Sequence, residues 1–269
     1  MSSGKKICTL VGSNKGGVGK SMVSMFKALV FEKAGYPLQV IEIDHQQRLS
    51  SLVGKDGVHK SIPANVNIED IARDKHAAEK FYNAVYREWM RSDSLTDLGA
   101  NVTTPLLSWI ERSKIMLLAA EDEIMFRFVA VASPDDEALR SAVKAIKDAR
   151  ERLGGGSEYF VVLNDTTGSY GFAPYEGNPA YRELLSMEAA GAVALIRMQF
   201  CDSILFEVGR ALNINPRDAM DRADEIAAAS TPPLDEVTTR IEKSKLKEWL
   251  RGTQEALMPI LTKTSKAAA

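Results

Sequence analysis

The stretch Ser13-Asn14-Lys15-Gly16-Gly17-Val18-Gly19-Lys20-Ser21 decides the fold. Before it, Ile7-Cys8-Thr9-Leu10-Val11-Gly12 reads as a buried strand. After it, Met22 to Ala34 reads as a helix that stops at Gly35. Strand, glycine-rich loop and helix in that order form a phosphate-binding unit. Glycines let the backbone bend until successive N–H groups converge on one anion. The next helix adds the partial positive charge of its N-terminus. On this reading Asn14, Lys15, Gly16, Gly17, Val18, Gly19, Lys20, Ser21 and Met22 surround the phosphates of a nucleotide. Lys20 reaches the β- and γ-phosphates, and the Ser21 hydroxyl ligates Mg²⁺. The plainer alternative is a glycine-rich turn with stray lysines, and the flanking strand and helix argue against it.

Around this loop the chain alternates. Candidate strands are Lys6–Gly12, Leu38–Asp44, Ser94–Asp97, Met125–Ala132, Glu158–Asn164 and Ala192–Met198. Helical patterns fall near Gly19–Ala34, Ile68–Arg91, Thr104–Ala120, Asp135–Leu153 and Ala180–Ala189. Such alternation predicts an α/β fold, a mostly parallel, doubly wound P-loop sheet flanked by helices. After Met198 the pattern is helical: Asp202–Leu212, Pro216–Ala229 and Pro233–Met258. With no linker to detach it, this region (about 202–258) reads as helical cover on a single domain spanning 1–269. No repeat is visible, and low complexity is confined to Ser265–Ala269.

Composition narrows the class. Of 269 residues, 45 % are hydrophobic and 26 % charged, as in a globular protein, and the net charge of −2 leaves no global nucleic-acid footprint. No apolar run reaches membrane-spanning length, and the N-terminus lacks the apolar core of a signal peptide. Cys8 and Cys201 are the only cysteines, which predicts a reducing cytoplasm and argues against a disulfide scaffold or structural zinc.

The strict G-x-x-x-x-G-K-S/T pattern needs glycine at position 14, where Asn14 stands, followed by an extra lysine, Lys15. Lys15-Gly16-Gly17-Val18-Gly19-Lys20-Ser21 resembles the deviant Walker A motif of the ParA/MinD family of ATPases. The resemblance runs from about Lys5 to Leu212. It implies ATP and Mg²⁺ as ligands and an ATP-dependent homodimer in which Lys15 contacts the nucleotide of the other subunit. It also implies a stimulating partner or cargo adaptor protein, non-specific DNA as a further partner, and a bacterial cytoplasmic location that can include the nucleoid. Because the first strand starts almost at Met1, the short type, without an extra N-terminal DNA-binding domain, is expected.

Further motifs take their meaning from that loop. Val40-Ile41-Glu42-Ile43-Asp44-His45-Gln46 matches the family's D-x-D-P-Q segment, with Glu42 for the first aspartate and His45 for the proline. The resemblance makes Asp44 the residue that orients the attacking water and the metal shell. Lys15, Lys20 and Asp44 are thus the candidate catalytic residues. A second metal carboxylate should end a strand beside the loop. Asp97, followed by Gly99 and Ala100, is the candidate, with Asp93 competing. Ser21, Asp44 and Asp97 form the candidate metal set. Asn164 ends a strand where relatives hydrogen-bond adenine, although a turn asparagine fits equally. The long loop Thr166–Tyr175 is aromatic and could cover the base or bind a partner. Ile196-Arg197-Met198 lacks the proline that lines the base pocket in relatives.

Arg240, Lys243, Lys247 and Arg251 fall on one helix face at about 100° per residue. Residues 230–269 hold seven Lys/Arg and five Asp/Glu, so the segment is +2 and the remainder −4. The stripe is a candidate for sequence-independent DNA binding, against an ordinary solvated face. A MinD-like membrane helix at Leu257–Leu261 is disfavoured by its shortness and Pro259. The function expected is an ATP-binding and hydrolysing dimerisation switch that partitions or positions DNA or a protein cargo. A MinD-like membrane-associated positioning ATPase and a metabolic ATP-dependent enzyme on the same fold are the alternatives.

Overall fold

A computed structural model describes residues 5–54, 57–61, 74–168 and 170–262. Its strands are β1 (Lys6–Val11), β2 (Gln39–Ile43), β3 (Lys60–Ser61), β4 (Ser94–Leu98), β5 (Ile124–Ala132), β6 (Glu158–Asn164) and β7 (Ala194–Met198). All neighbours pair in parallel, in the order β3-β2-β4-β1-β5-β6-β7. The helices are α1 (Lys20–Lys33), α2 (Arg48–Val53), α3 (Lys75–Trp89), α4 (Thr103–Arg112), α5 (Ile115–Glu121), α6 (Asp136–Leu153), α7 (Pro179–Ala189), α8 (Ile204–Ala211), α9 (Asp218–Asp221), α10 (Ala223–Ala229) and α11 (Glu236–Leu261).

Strand periodicity builds two cores. Along β5, Phe126, Phe128, Ala130 and Ala132 join one cluster, while Val129 and Val131 join the other. The first cluster holds Trp89 of α3, Trp109 of α4 and Ile146 of α6. The second holds Phe26 of α1, Leu205 of α8, and Leu246 and Trp249 of α11. The sheet is therefore doubly wound, with helices on both faces. After β1 the chain leaves toward one face, and after the adjacent β4 it leaves toward the other. Ligands of open α/β sheets bind at such a divergence, beyond the carboxyl ends of the strands.

Several sequence expectations need correction. The helix expected over Thr104–Ala120 is broken at Ser113-Lys114, where Lys114 takes a positive φ of 52°. Pro216–Ala229 likewise divides into α9 and α10. The short β3 carries too little alternation to be seen. Strand β4 is buried throughout despite its polar residues, because it lies between β1 and β2. Of the helix expected over Ile68–Arg91, the start (68–73) lies outside the described residues, as does the low-complexity end Ser265–Ala269.

Pro259 does not end α11, which runs on to Leu261. Leu257, Ile260 and Leu261 are buried, and two buried cations hold the helix end. Lys27 donates to the Ile260 carbonyl at 2.9 Å. Arg127 donates to the Ile260 and Thr262 carbonyls at 2.6 and 3.0 Å and pairs with Glu158 at 2.7 Å. Burial, reinforced by the Arg127 charge, pulls the Lys27 pKa down to about 7. Among the described residues, no helix is long and apolar enough to cross a membrane.

Candidate functional site

The phosphate loop joins β1 to α1 at the divergence of the sheet. Gly12 enters it with its amide on the Val129 carbonyl (2.9 Å), and a Cβ there would lie 2.7 Å from Thr103 Oγ1. Gly17 and Gly19 take φ of 77° and 103°, conformations that side chains resist. A Cβ on Gly16 or Gly17 would meet nothing within 4 Å, so the loop opens outward as a cradle of backbone. Val18 is buried in the core beneath it. The Lys20 ammonium donates to the Lys15 carbonyl at 2.7 Å and so closes the loop into a ring. Burial lowers the Lys20 pKa, opposed by the charges of Asp97 and Asp44.

Register brings the carboxylates to the same place. Val11, Asp97 and Glu42 are paired across β1, β4 and β2. With Val40 and Leu95 they face α1. Asp97 is 1 % exposed, and its two oxygens accept from Ser21 Oγ at 2.8 Å and Ser24 Oγ at 2.9 Å. Burial pushes its pKa up to about 6, although both hydroxyls pull the other way. Asp44 follows β2 directly. Its Oδ1 accepts the Gln46 amide at 3.1 Å and would lie 2.8 Å from a Cβ on Gly99, so only glycine fits beside it.

Glu42 and Asp93 prove to be structural. Glu42 accepts the Leu49 and Ser50 amides at 2.6 and 3.2 Å, and the Ser50 hydroxyl. It thereby pins the start of α2 to β2 and fixes the path of the turn that carries Asp44. Asp93, the competitor of Asp97, precedes β4 and accepts the Ile7 amide at 2.9 Å. Four residues at about 3.3 Å each put it about 13 Å from the loop, at the wrong end of the strand.

Lys15 and Asn14 lean on the other face. Ser141 Oγ of α6 accepts both the Asn14 and Lys15 amides at 3.1 Å. Asn14 Nδ2 donates to Thr104 Oγ1 at 3.2 Å, leaving its Oδ1 buried without a partner. The Lys15 ammonium pairs with Glu137 in the first turn of α6, and that hydrogen bond raises its pKa. None of these contacts is visible in sequence, where Ser141 and Glu137 lie more than 120 residues away. Asn164 Nδ2 donates to the Val18 carbonyl at 2.9 Å, and its amide fills the space beside Gly19. It braces the loop, an outcome that neither sequence reading anticipated.

In the aromatic loop that follows, Phe172 stacks on Tyr181 at 5.8 Å and the Tyr175 hydroxyl donates to the Pro134 carbonyl at 2.7 Å. Both turn inward, whereas Tyr170 is exposed. Along α11, Arg240 pairs with Glu236 at 2.5 Å and Arg251 with Glu255 at 2.8 Å. Lys243 and Lys247 are exposed on the same face. The basic stripe is therefore half neutralised by acids one turn away.

The donor set fits the expected ligands. One buried ammonium and a cradle of glycine backbone suit phosphate, and a hydroxyl beside a buried carboxylate suits a hard divalent cation. Strand order and the glycine loop between β1 and α1 define an α/β fold of the P-loop kind, a parallel, doubly wound sheet with helices on both faces.

No protein-family model and no curated protein matches the sequence. Among solved structures, the chain is similar to apo McdA from Cyanothece, with a TM-score of 0.49 at 13 % identity over 93 % of this chain and 99 % of that one. A variant of Cyanothece McdA in complex with ATP gives 0.48 at 12 % identity, covering 98 % and 100 %. The MinC:MinD cell division protein complex of Aquifex aeolicus gives 0.45 at 14 %, covering 97 % and 98 %. The fold assignment stands on the strand order and the loop themselves.

Proposed function

We propose that this protein binds and hydrolyses ATP with Mg²⁺ and uses the nucleotide to switch between monomer and homodimer, positioning or partitioning DNA or a protein cargo. One observation carries the reading: Lys20, Ser21, Asp97, Asp44 and the Lys15 carbonyl converge on a single glycine loop. Bound ATP would supply the anhydride, and Mg²⁺ would supply positive charge that stabilises the charge developing on the phosphates. Lys20, whose ammonium now donates to the Lys15 carbonyl, would exchange that acceptor for phosphate oxygens. With Mg²⁺ bound, the Ser21 hydroxyl and the Asp97 carboxylate, which now bond each other, would be the groups that hold it. Asp44 orients the nucleophile, because its carboxylate stands over the end of β4 beside Gly99. Lys15 leaves Glu137 to reach the nucleotide of the second subunit, as a charge supplied in trans. Its side chain is one-third exposed, within reach of another molecule.

For the matrix, Lys243 and Lys247 are the residues proposed to meet DNA, through phosphate neutralisation alone. The direct test is ATP binding. Lys20→Ala removes the buried ammonium that closes the loop and is expected to abolish ATP binding in titration calorimetry. Unchanged affinity would show that the loop is not the site.

A further inference from the structure

Between α3 and α4 four aromatic side chains pack together: Tyr82, Tyr86, Trp89 and Trp109. Each carries a polar handle that burial obliges to find a partner. Two succeed. The Tyr86 hydroxyl donates to Asp122 at 2.6 Å, and the Trp89 indole N–H donates to Thr96 Oγ1 at 3.0 Å. The other two do not. The Tyr82 hydroxyl and the Trp109 indole N–H are buried without a partner among the described residues, on side chains that are each 1 % exposed. Their rings lie 5.2 Å apart. Tyr82 also lines a cleft of about 450 Å³ between the two helices. That volume falls within the range of small-molecule sites, about 300–1,000 Å³.

Helical spacing builds the cleft. Ala78 and Tyr82 stand one turn apart on α3, and Thr104, Ser108 and Arg112 stand at successive turns of α4. Eight residues at about 1.5 Å each make the α4 wall about 12 Å long. Its upper end adjoins the phosphate loop, since Thr104 Oγ1 accepts Asn14 Nδ2 at 3.2 Å. That bond leaves the Thr104 hydrogen for another acceptor. At the lower end Arg112 Nε donates to the Ser108 carbonyl at 3.3 Å, which lays the guanidinium along the wall. Arg112 has no acidic partner among the described residues. The one acid of the lining, Glu111, is already paired with Arg152 at 3.1 Å. Burial pushes the Tyr82 pKa up to about 12, against the pull of the Arg112 charge, so the hydroxyl stays a donor at neutral pH. The cleft thus offers donors and one positive charge, while Ala78, Pro105 and the Tyr82 ring give it apolar walls. We propose that it is a second binding site, for a small carboxylic acid with an apolar body, whose carboxylate takes Arg112 and the Tyr82 hydroxyl. A planar guanidinium matches the two oxygens of a carboxylate. One cation also suits a single charge better than the nearly double charge of a phosphate monoester. The proposal does not depend on the nucleotide reading.

Fluorine NMR titration of the full chain with para-fluorobenzoate tests this. Wild type is expected to bind it with a Kd of about 1 mM or tighter, the scale for a probe of so few atoms. Arg112→Gln and Tyr82→Phe should each weaken binding about tenfold or more, the loss for a hydrogen bond to a charged group. The neutral isostere para-fluorobenzamide should not bind measurably, and inorganic phosphate should not displace the acid. Urea unfolding guards against a folding defect. Tyr82→Phe removes a hydroxyl that bonds nothing, so the variant should be as stable as wild type or more so. A lower stability would show that the hydroxyl has an internal partner and would overturn the assignment. So would a silent titration up to about 10 mM, unchanged affinity in either variant, or equal binding of the amide. Displacement by phosphate would overturn it too, as the mark of a bare surface guanidinium.

Discussion

Asp97 should destabilise the protein that contains it until a cation arrives. Its carboxyl is raised from 3.8 to about 6 by burial, so keeping it ionised at neutral pH costs about 3 kcal/mol, at about 1.4 kcal/mol per pH unit. The sign follows from the direction of the shift. Between about pH 4 and 6 the folded state holds a proton that the unfolded state has lost. Stability therefore falls as pH rises through that window and levels off above it. Asp97→Asn keeps the shape, and an amide can still satisfy the hydroxyls of Ser21 and Ser24. The variant is expected to be more stable than wild type at pH 7.5 without ligand, by up to about 3 kcal/mol. Loss of the nearest negative charge to Lys20 subtracts from this. For a chain of this size that is a rise in Tm of roughly 6–12 °C. Addition of ATP and Mg²⁺ should then stabilise wild type and do much less for the variant. Urea unfolding from pH 4 to 8, with and without nucleotide, reads all of this. A wild-type stability that is flat from pH 4 to 6, or a variant less stable than wild type at neutral pH, would refute the reasoning.

The remaining predictions concern turnover, assembly and the surface. Asp44→Ala should bind ATP yet hydrolyse it about a hundredfold more slowly or worse, trapping any dimer in a light-scattering assay; a normal rate would remove Asp44 from the mechanism. In that background, adding Lys15→Ala should leave ATP binding intact and abolish ATP-dependent dimerisation, and a double variant that still dimerises fully would refute action in trans. Replacing Lys243 and Lys247 with Ala should lower the log–log salt slope of DNA binding by about 2, whereas Arg240 and Arg251, already paired, should add little. Wild-type protein that retains no DNA at low salt with ATP would exclude DNA as the matrix.

What the sequence disclosed was local. A strand, a glycine loop and a helix lie within thirty residues of each other, so Lys20, Ser21 and the fold class could be read directly. Asp97 was legible because a carboxylate at the end of a strand is a recognisable pattern. Its rival Asp93 could be separated only once β4 was placed, since four residues along a strand decide which rim of the sheet a side chain reaches. Register was also hidden. Glu42 reads as the counterpart of the family's first aspartate, yet its pairing opposite Asp97 and its bonds to the Leu49 and Ser50 amides make it a helix anchor. The contacts of Ser141 and Glu137 with the loop join distant segments that carry no shared motif.

The two buried cations at the foot of α11 make the end of that helix part of the core beneath the sheet. Lys27 and Arg127 are satisfied by carbonyls that exist only if the chain is translated through Ile260 and Thr262. Trp249, in the same helix, steadies the segment just past β7. A chain truncated a few residues before this point would lose more than surface. It would leave Lys27 in the interior without its carbonyl acceptor, and Arg127 with Glu158 but without the Ile260 and Thr262 carbonyls.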